Sequence, residues 1–369
     1  MKKISSLLIV LLITTGAYAG DQVYFADPNL ERAVELTLAV EDPTVEQMLD
    51  LTHLDPSDFP EVGGIGDLTG LEYALNLQEL WLWGDRVCDL SPLAGLTKLT
   101  KLQLFFNKIS DISDLSGLTD LTELYLNDNQ IDSITPLKNL TQLTTLYLNN
   151  NEISEPNALA ELTNLTELNL GGNKIHDPNA LAGLTNLTNL NLSNNLISNI
   201  EVLKGLKNLT QLYLNYNQIS NLEALSEPNK LTILALNYNQ IHDLDTVAKL
   251  TRLKQLQLNG NQIRDISPLA DLVHLQGLFL LNNPLNAPAY CDYIPLIRDH
   301  NPDIFLRADP QPLIYDGTCD MLDLAVFKDH WLRTDCGAEN NWCAGADFDH
   351  SGVVDLRDFA QISYCWLKK

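Results

Sequence analysis

LTKLQLFFNKISDISDLSGLTD (99–120) is followed without a gap by LTELYLNDNQIDSITPLKNLTQ (121–142), and the two stretches share one pattern. Written once it is L-x-x-L-x-L-x-x-N-x-I-x-D-I/L-x-x-L-x-x-L-x-x, 22 residues long. Its opening leucine recurs at Leu77, Leu99, Leu121, Leu143, Leu165, Leu187, Leu209, Leu231 and Leu253. A tenth unit begins at Leu275, and an incomplete one containing Ile65, Asp67, Leu68 and Leu71 precedes the first. A fixed short period of this kind marks a stacked repeat architecture, in which each unit buries its apolar face against its neighbours.

Each position has a physical task. In L-x-L the leucines alternate with the residue between them, so they lie on one face of a short strand. Stacked units then form a parallel sheet with a shared leucine core. The Asn column (Asn107, Asn129, Asn151, Asn173, Asn195, Asn217, Asn239, Asn261, Asn283) falls where the chain leaves the strand. An inward amide there is expected to satisfy backbone groups that would otherwise be buried unpaired. Asp85 stands in for Asn in the first full unit. Along the return side, Pro136, Pro156, Pro178 and Pro268 oppose long helices. At roughly 4.8 Å per strand, ten units stack to about 48 Å.

The bare ends of such a stack need covers. Asp27-Pro28 is a good helix start, followed by an apolar face of Leu30, Ala33, Val34 and Leu38. Thr44 and Gln47 form a capping-box candidate before Met48 and Leu51. At the other end Pro284-Leu285 breaks the pattern, and AYCDYIPLIRDHNPDI (289–304) reads as a closing element. The expected order is an N-terminal helical cap over 20–54, repeats over 55–283 and a closing cap over 284–306. The cap, the phrase GLEYALNLQEL (70–80) and the repeat pattern together resemble the internalin-type bacterial leucine-rich-repeat family over about 21–306. The resemblance implies an α/β solenoid: a curved stack with its parallel sheet on the concave side, serving protein recognition. It does not name the partner, because the exposed residues that choose one lie outside the shared motif. The all-β region that follows the repeats in internalins is not evident.

Residues alternating with the core leucines are expected to face outward from the sheet. One column reads Trp81, Gln103, Tyr125, Tyr147, Asn169, Asn191, Tyr213, Ala235, Gln257 and Phe279; the next contains Trp83, Phe105, Asn127, Asn149 and Asn215. Phe106, Tyr216 and Tyr238 flank it. The expected ligand-binding face is therefore Trp81, Trp83, Phe105, Phe106, Tyr125, Tyr147, Tyr213, Tyr216, Tyr238 and Phe279, since exposed aromatics dominate recognition hot spots. Two plainer readings compete. Cross-strand contact between the aromatics stabilises the sheet itself, or the N-terminal cap covers Trp81 and Trp83. Aromatics beside Asn and Gln also suit sugar stacking.

MKKISSLLIVLLITTGAYAG has the parts of a secretory signal over residues 1–19: Lys2 and Lys3, an apolar Leu7–Ile13 run, and Ala17-Tyr18-Ala19 before the cut. No later stretch is apolar for long enough to span a membrane. A secreted or cell-envelope protein is expected. With 48 acids against 23 bases the formal charge is −25. A field of that sign argues against nucleic acid and anionic lipid as main partners. It suits calcium, basic protein surfaces and neutral glycans, and it also keeps a long exposed stack soluble.

After the segment 307–313, read as a linker, the periodicity changes. ADFDHSGVVDLRDFA (346–360) holds a calcium-loop pattern: Asp347, Asp349 and Ser351 at the first, third and fifth places, Gly352 at the sharp turn, Val353 through its carbonyl, then Asp355 and Asp358. A shift of 35 residues finds a second copy, with Gly317, Asp320, Asp323 and Trp331-Leu332 matching Gly352, Asp355, Asp358 and Trp366-Leu367. This duplicated loop-plus-helix resembles a dockerin domain over about 314–369, which implies a small all-α fold with paired EF-hand-like calcium loops and docking to a cohesin-like scaffold. The first copy departs from the pattern. Pro312 and Ile314 occupy ligand places, leaving Asp316, Asp320 and Asp323, so one calcium ion is expected and a second is weak or absent. Cys336–Cys343 and Cys319–Cys365 are the expected disulfides of this module, suited to an oxidising compartment. Cys88 and Cys291 are expected as buried thiols.

No catalytic arrangement is legible. The seven His residues lack metal-ligand spacing, and there is no nucleophile elbow or phosphate-cradling glycine loop. The sequence points to a non-catalytic adaptor, with the repeats holding a protein and the tail attaching it to an extracellular or envelope assembly. The alternative is a carbohydrate-binding accessory of a polysaccharide-degrading complex.

Overall fold

The computed structural model describes residues 20–84, 86–226, 230–309, 351 and 353–355. The signal segment, Asp85 and most of the tail lie outside them. The chain divides into two compact units between Leu196 and Ile197.

The first unit begins with helix α1 (Pro28–Leu38), capped as its sequence directs: the Asp27 carboxylate accepts from the Asn29 amide at 2.8 Å. The same carboxylate accepts from the Gly66 amide at 2.7 Å, tying the helix to the incomplete repeat. Leu30, Ala33 and Val34 are fully buried. Thr44 and Gln47 form the reciprocal capping box, at 2.8 and 3.3 Å. The box opens a single 3-10 turn, Gln47–Asp50. Seven strands come next: β1 (His53–Leu54), β2 (Glu79–Trp81), β3 (Lys101–Gln103), β4 (Glu123–Tyr125), β5 (Thr145–Tyr147), β6 (Glu167–Asn169) and β7 (Asn189–Asn191). Consecutive strands pair in parallel, and from β2 the register advances one repeat at a time (Leu80↔Leu102, Leu102↔Leu124). The second unit has β8 (Gln211–Tyr213), β9 (Ile233–Ala235), β10 (Gln255–Gln257), β11 (Gly277–Phe279) and β12 (Phe305–Arg307), again parallel. Its closing element is a π-helical turn, Ala289–Tyr293, leading into helix α2 (Ile294–His300). Among the described residues no helix is long and apolar enough to cross a membrane.

The strand ladder runs into both expected caps. His53 pairs with Glu79 and Gly277 with Phe305, offsets of 26 and 28 residues that no 22-residue template detects. Arg307 accordingly belongs to a strand and not to a linker.

In one mid-stack repeat, Leu165, Leu170, Ile175, Leu181 and Leu184 are fully buried and Leu168 nearly so. Each such side chain contributes about 1.5–3 kcal/mol of transfer free energy. The return side is made of short 3-10 turns such as Thr135–Asn139 and Asn179–Gly183, started by the prolines the sequence places there. The Asn column does what its position requires. Asn173 Nδ2 donates to the Leu148 carbonyl at 3.0 Å and the Leu170 carbonyl at 3.0 Å, while its Oδ1 accepts from the Ile153 amide at 3.0 Å. Asn151, Asn195, Asn239 and Asn261 repeat the same three bonds. A second ladder explains the threonine that follows the opening leucine from Leu99 to Leu231. Thr122 Oγ1 donates to the Thr100 carbonyl at 3.0 Å, and Thr144 to that of Thr122 at 3.1 Å.

Cys88 is exposed and free, which corrects the expectation of a buried thiol; its place beside the first return turn faces solvent. Cys291 is half-buried and disulfide-bonded, so it is not a free thiol either.

Replacing Asn173 by Ala leaves the buried Ile153 amide unpaired, at about 1–3 kcal/mol before relaxation, and takes one of two amide donors from each of the Leu148 and Leu170 carbonyls, which keep Asn151 and Asn195. Urea unfolding is expected to register a net loss of about 3 kcal/mol; a loss below about 1 kcal/mol would mean that the amide is not what closes the turn.

Candidate binding face

Alternation along each strand turns the leucines inward and leaves the intervening residues on an open face, and the pleat fixes which residues share it. In the first unit Trp81, Phe105, Tyr125 and Tyr147 are half-buried on that face, whereas Trp83 and Phe106 are exposed by 49 and 57%. The structure joins them into short runs. The Trp83 and Phe105 rings stack at 5.8 Å with 7° between planes, and Phe106 meets Phe105 edge-on at 5.8 Å. Tyr125 and Tyr147 lie 5.1 Å apart. Trp81 meets the His53 ring edge-on at 5.5 Å, so β1 partly screens it, while Trp83 stays open. The Trp81 indole N–H is buried with no acceptor among the described residues.

In the second unit Tyr216 and Tyr238 stack at 4.6 Å with 11° between planes. Phe279 contacts Phe305 of β12 at 5.7 Å, and the Arg307 guanidinium sits 5.1 Å over the Phe305 ring. Tyr213 stands apart from these rings and donates its hydroxyl to Gln211 at 3.0 Å. The Asn residues of this face are partly occupied by structural bonds. Asn215, Asn237 and Asn259 each accept from the backbone amide one repeat ahead, at 2.8–2.9 Å.

Sequence reasoning overlooked a charged column at the strand starts. Glu79, Glu123 and Glu167 line the first unit's face, interrupted by Thr145 and by Lys101, whose ammonium lies 3.1 Å from Glu123. The hydrogen bond and charge of Glu123 hold the Lys101 ammonium above its ordinary range. Burial, and then the Glu123 carboxylate, push the Tyr125 hydroxyl up to about 12. Burial and a 3.1 Å hydrogen bond to Glu167 raise Tyr147. These phenols are neutral donors throughout the physiological range, set among carboxylates.

The residue just before each buried Asn was also overlooked. Gly84, Asp128, Asn150, Gly172, Asn194, Gly260 and Asn282 all have φ between 55° and 74°, the left-handed region these small or amide residues tolerate. At the same place Phe106, Tyr216 and Tyr238 adopt φ of 56°, 54° and 55°. Bulky side chains rarely enter that region, at a cost of about 1–2 kcal/mol each. Gly260 illustrates how the rings fit: a Cβ built there would lie 2.5 Å from the Tyr238 ring. The signal was readable as three aromatics in a column otherwise made of Gly, Asn and Asp.

Of the expected calcium loop, Ser351, Val353 and Asp355 are described; Ser351 Oγ donates to the Val353 carbonyl at 3.1 Å. Asp347, Asp349 and Asp358 lie outside the described residues, as do Cys319, Cys336, Cys343 and Cys365. His53, Asp55 and Asp58 bring three ligand atoms within 4.8 Å of one another, but one Asp55 oxygen is taken by the Ser57 amide and hydroxyl.

This repeat geometry has known counterparts. An internalin (inlF) from Listeria monocytogenes is 34% identical over 71% of this chain and 84% of its own, with a TM-score of 0.62. The chain belongs to the internalin-type leucine-rich-repeat family. An internalin C2 (inlC2) from the same organism is also 34% identical, over 59% of this chain and all of its own, with a TM-score of 0.55. The functional domain of InlJ, again from Listeria monocytogenes, is 25% identical over 76% of this chain and 68% of its own, with a TM-score of 0.52. The family model for Leucine Rich repeats (2 copies) matches residues 97–139, 141–183, 185–227 and 229–271 of this internalin-type chain. No curated protein matches it.

A strained, exposed ring that served only the sheet would stabilise it. In urea the Phe106→Asn variant is therefore expected to be at least as stable as the parent, with Phe106→Ala lower than Phe106→Asn by about 1 kcal/mol. A loss of more than about 1 kcal/mol in the Asn variant would assign Phe106 to holding the sheet together.

Proposed function

We propose that the chain is a non-catalytic extracytoplasmic binding protein whose open strand faces hold a protein ligand. The observation that carries this reading is the set of exposed aromatics, Phe106, Tyr216 and Tyr238, kept in left-handed backbone positions that their neighbours give to Gly, Asn and Asp. Local strain held at exposed residues is a mark of function. Membership of the internalin type supports protein recognition as the task. The chemistry favours a partner bearing basic residues, since Glu79, Glu123 and Glu167 supply carboxylates beside aromatic edges. Ring orientation weighs against the glycan alternative. Sugars stack on ring faces, yet Trp83 covers Phe105 and Tyr216 covers Tyr238 nearly face to face.

The test compares immobilised full-length protein with Trp83→Ala/Phe106→Asn and Tyr216→Asn/Tyr238→Asn variants. A protein ligand retained by the parent is expected to bind at least one variant roughly 30-fold more weakly, the loss of a hot spot worth about 2 kcal/mol. Equal retention by all three proteins overturns the reading. Retention of a neutral insoluble glycan that both variants lose would put the carbohydrate alternative in its place.

For the tail we infer a single calcium loop built by Asp347, Asp349, Ser351, the Val353 carbonyl, Asp355 and Asp358. The spacing of these oxygens, with Gly352 at the turn, supports it. A dockerin-like module there would attach the chain to a cohesin-like scaffold, with at most one of the expected bridges Cys336–Cys343 and Cys319–Cys365, since Cys291 is disulfide-bonded while Cys88 is free. Calorimetric titration of the full chain is expected to find one calcium ion, lost in both Asp347→Ala and Asp358→Ala. Binding that survives both substitutions would place the ion elsewhere.

A further inference from the structure

Net charge hides a local exception. In the second unit Lys207, Lys230, Lys249 and Arg252 line one cleft of about 470 Å³ together with Asn208 and Thr251. No carboxylate lines it among the described residues. None of the four cations forms an ion pair among them either; the unit's lysine–carboxylate contact is Lys204 with Glu201, outside the cleft. The cluster follows the repeat. Asn208, Lys230, Arg252 and His274 occupy one register position at 22-residue intervals, just before the strand. In the first unit the same position holds Lys98, Asp120, Gln142, Asn164 and Asn186. Asn164 and Asn186 there bond the preceding repeat's backbone, so the ordinary occupant is a neutral amide with a structural bond. Lys230 instead donates to the Asn208 side chain at 2.9 Å, which leaves two ammonium hydrogens and positions the head group.

Four like charges converging with no carboxylate partner among the described residues repel one another. Every charged group on the lining is a donor, and donors of this kind fit oxyanions, with the guanidinium able to grip two oxygens at once. The net negative charge of the chain does not forbid this, because between exposed groups more than about 8 Å apart its field is largely screened at physiological salt. The volume lies within the usual range for ligand clefts and exceeds what one small ion fills.

We propose that this cleft binds tetrahedral oxyanion groups, sulfate or phosphate, either as free ions or as esters carried on a saccharide. The site is separate from the aromatic faces and does not depend on their function. The experiment titrates the full chain with sodium sulfate, sodium phosphate, and a sulfated hexasaccharide alongside its desulfated counterpart. The double variant Lys230→Ala/Arg252→Ala is compared with Lys98→Ala, which removes a cation from the same register position in the other unit. The expected result is binding of the sulfated hexasaccharide but not its counterpart, weakened at least tenfold in the double variant, unchanged in Lys98→Ala, and declining with added salt. Comparable binding of the free anions, lost in the same variant, would assign the site to the ions themselves. No binding by any probe, or binding that the double variant retains, overturns the proposal; circular dichroism of the variants separates a lost site from a lost fold.

Discussion

One side-chain amide per repeat closes the structure. The chain must leave each strand while still inside the core, and at that corner two carbonyls and an amide have no partner in the regular ladder. The buried Asn supplies two donors and an acceptor to those groups, two of them in the preceding repeat. A hydrophobic residue of the same size would fill the volume, strand the amide and halve the donors to both carbonyls. The leucines supply the driving force, but they are interchangeable in a way that the Asn is not, because the corner needs both kinds of hydrogen-bonding atom in one short side chain.

With the corner fixed, the open face is released from structural duty. The threonine and asparagine ladders hold successive repeats in register at the strand edges, so the residues between them can vary without loss of fold. That freedom explains how three aromatics came to occupy left-handed positions beside the buried Asn. It also explains why the face is uneven, with Trp83, Phe105 and Phe106 joined in one unit and Tyr216 with Tyr238 in the other. The same freedom at the strand starts allows glutamates in the first unit and, one turn earlier, a cluster of cations in the second.

What was legible in the sequence came from period and chemistry. The leucine register, the inward Asn, the proline-started return turns and the Asp27 cap all need only local rules. The strands His53–Leu54 and Phe305–Arg307 escaped because they join the sheet at irregular offsets, where spatial neighbourhood replaces periodicity. The left-handed column escaped because a backbone angle is not written in one residue; it emerges only when Phe106 is compared with Asp128 and Gly172 at the same place. The cationic cleft escaped because a total of −25 averages over a surface whose local sign reverses. Cys88 was misjudged because an apolar-looking thiol near a core strand says little about which way a return turn faces.

The proposed recognition puts the partner on the strand face and not on the return side. Photo-crosslinking separates these two surfaces, with a photoreactive amino acid placed at Phe106 in one full-length variant and at His176, exposed on the return side, in another. A discrete crosslinked protein adduct is expected from position 106 and none from 176. Adducts from 176 with none from 106 would contradict the assignment, and would move recognition to the opposite surface of the repeats.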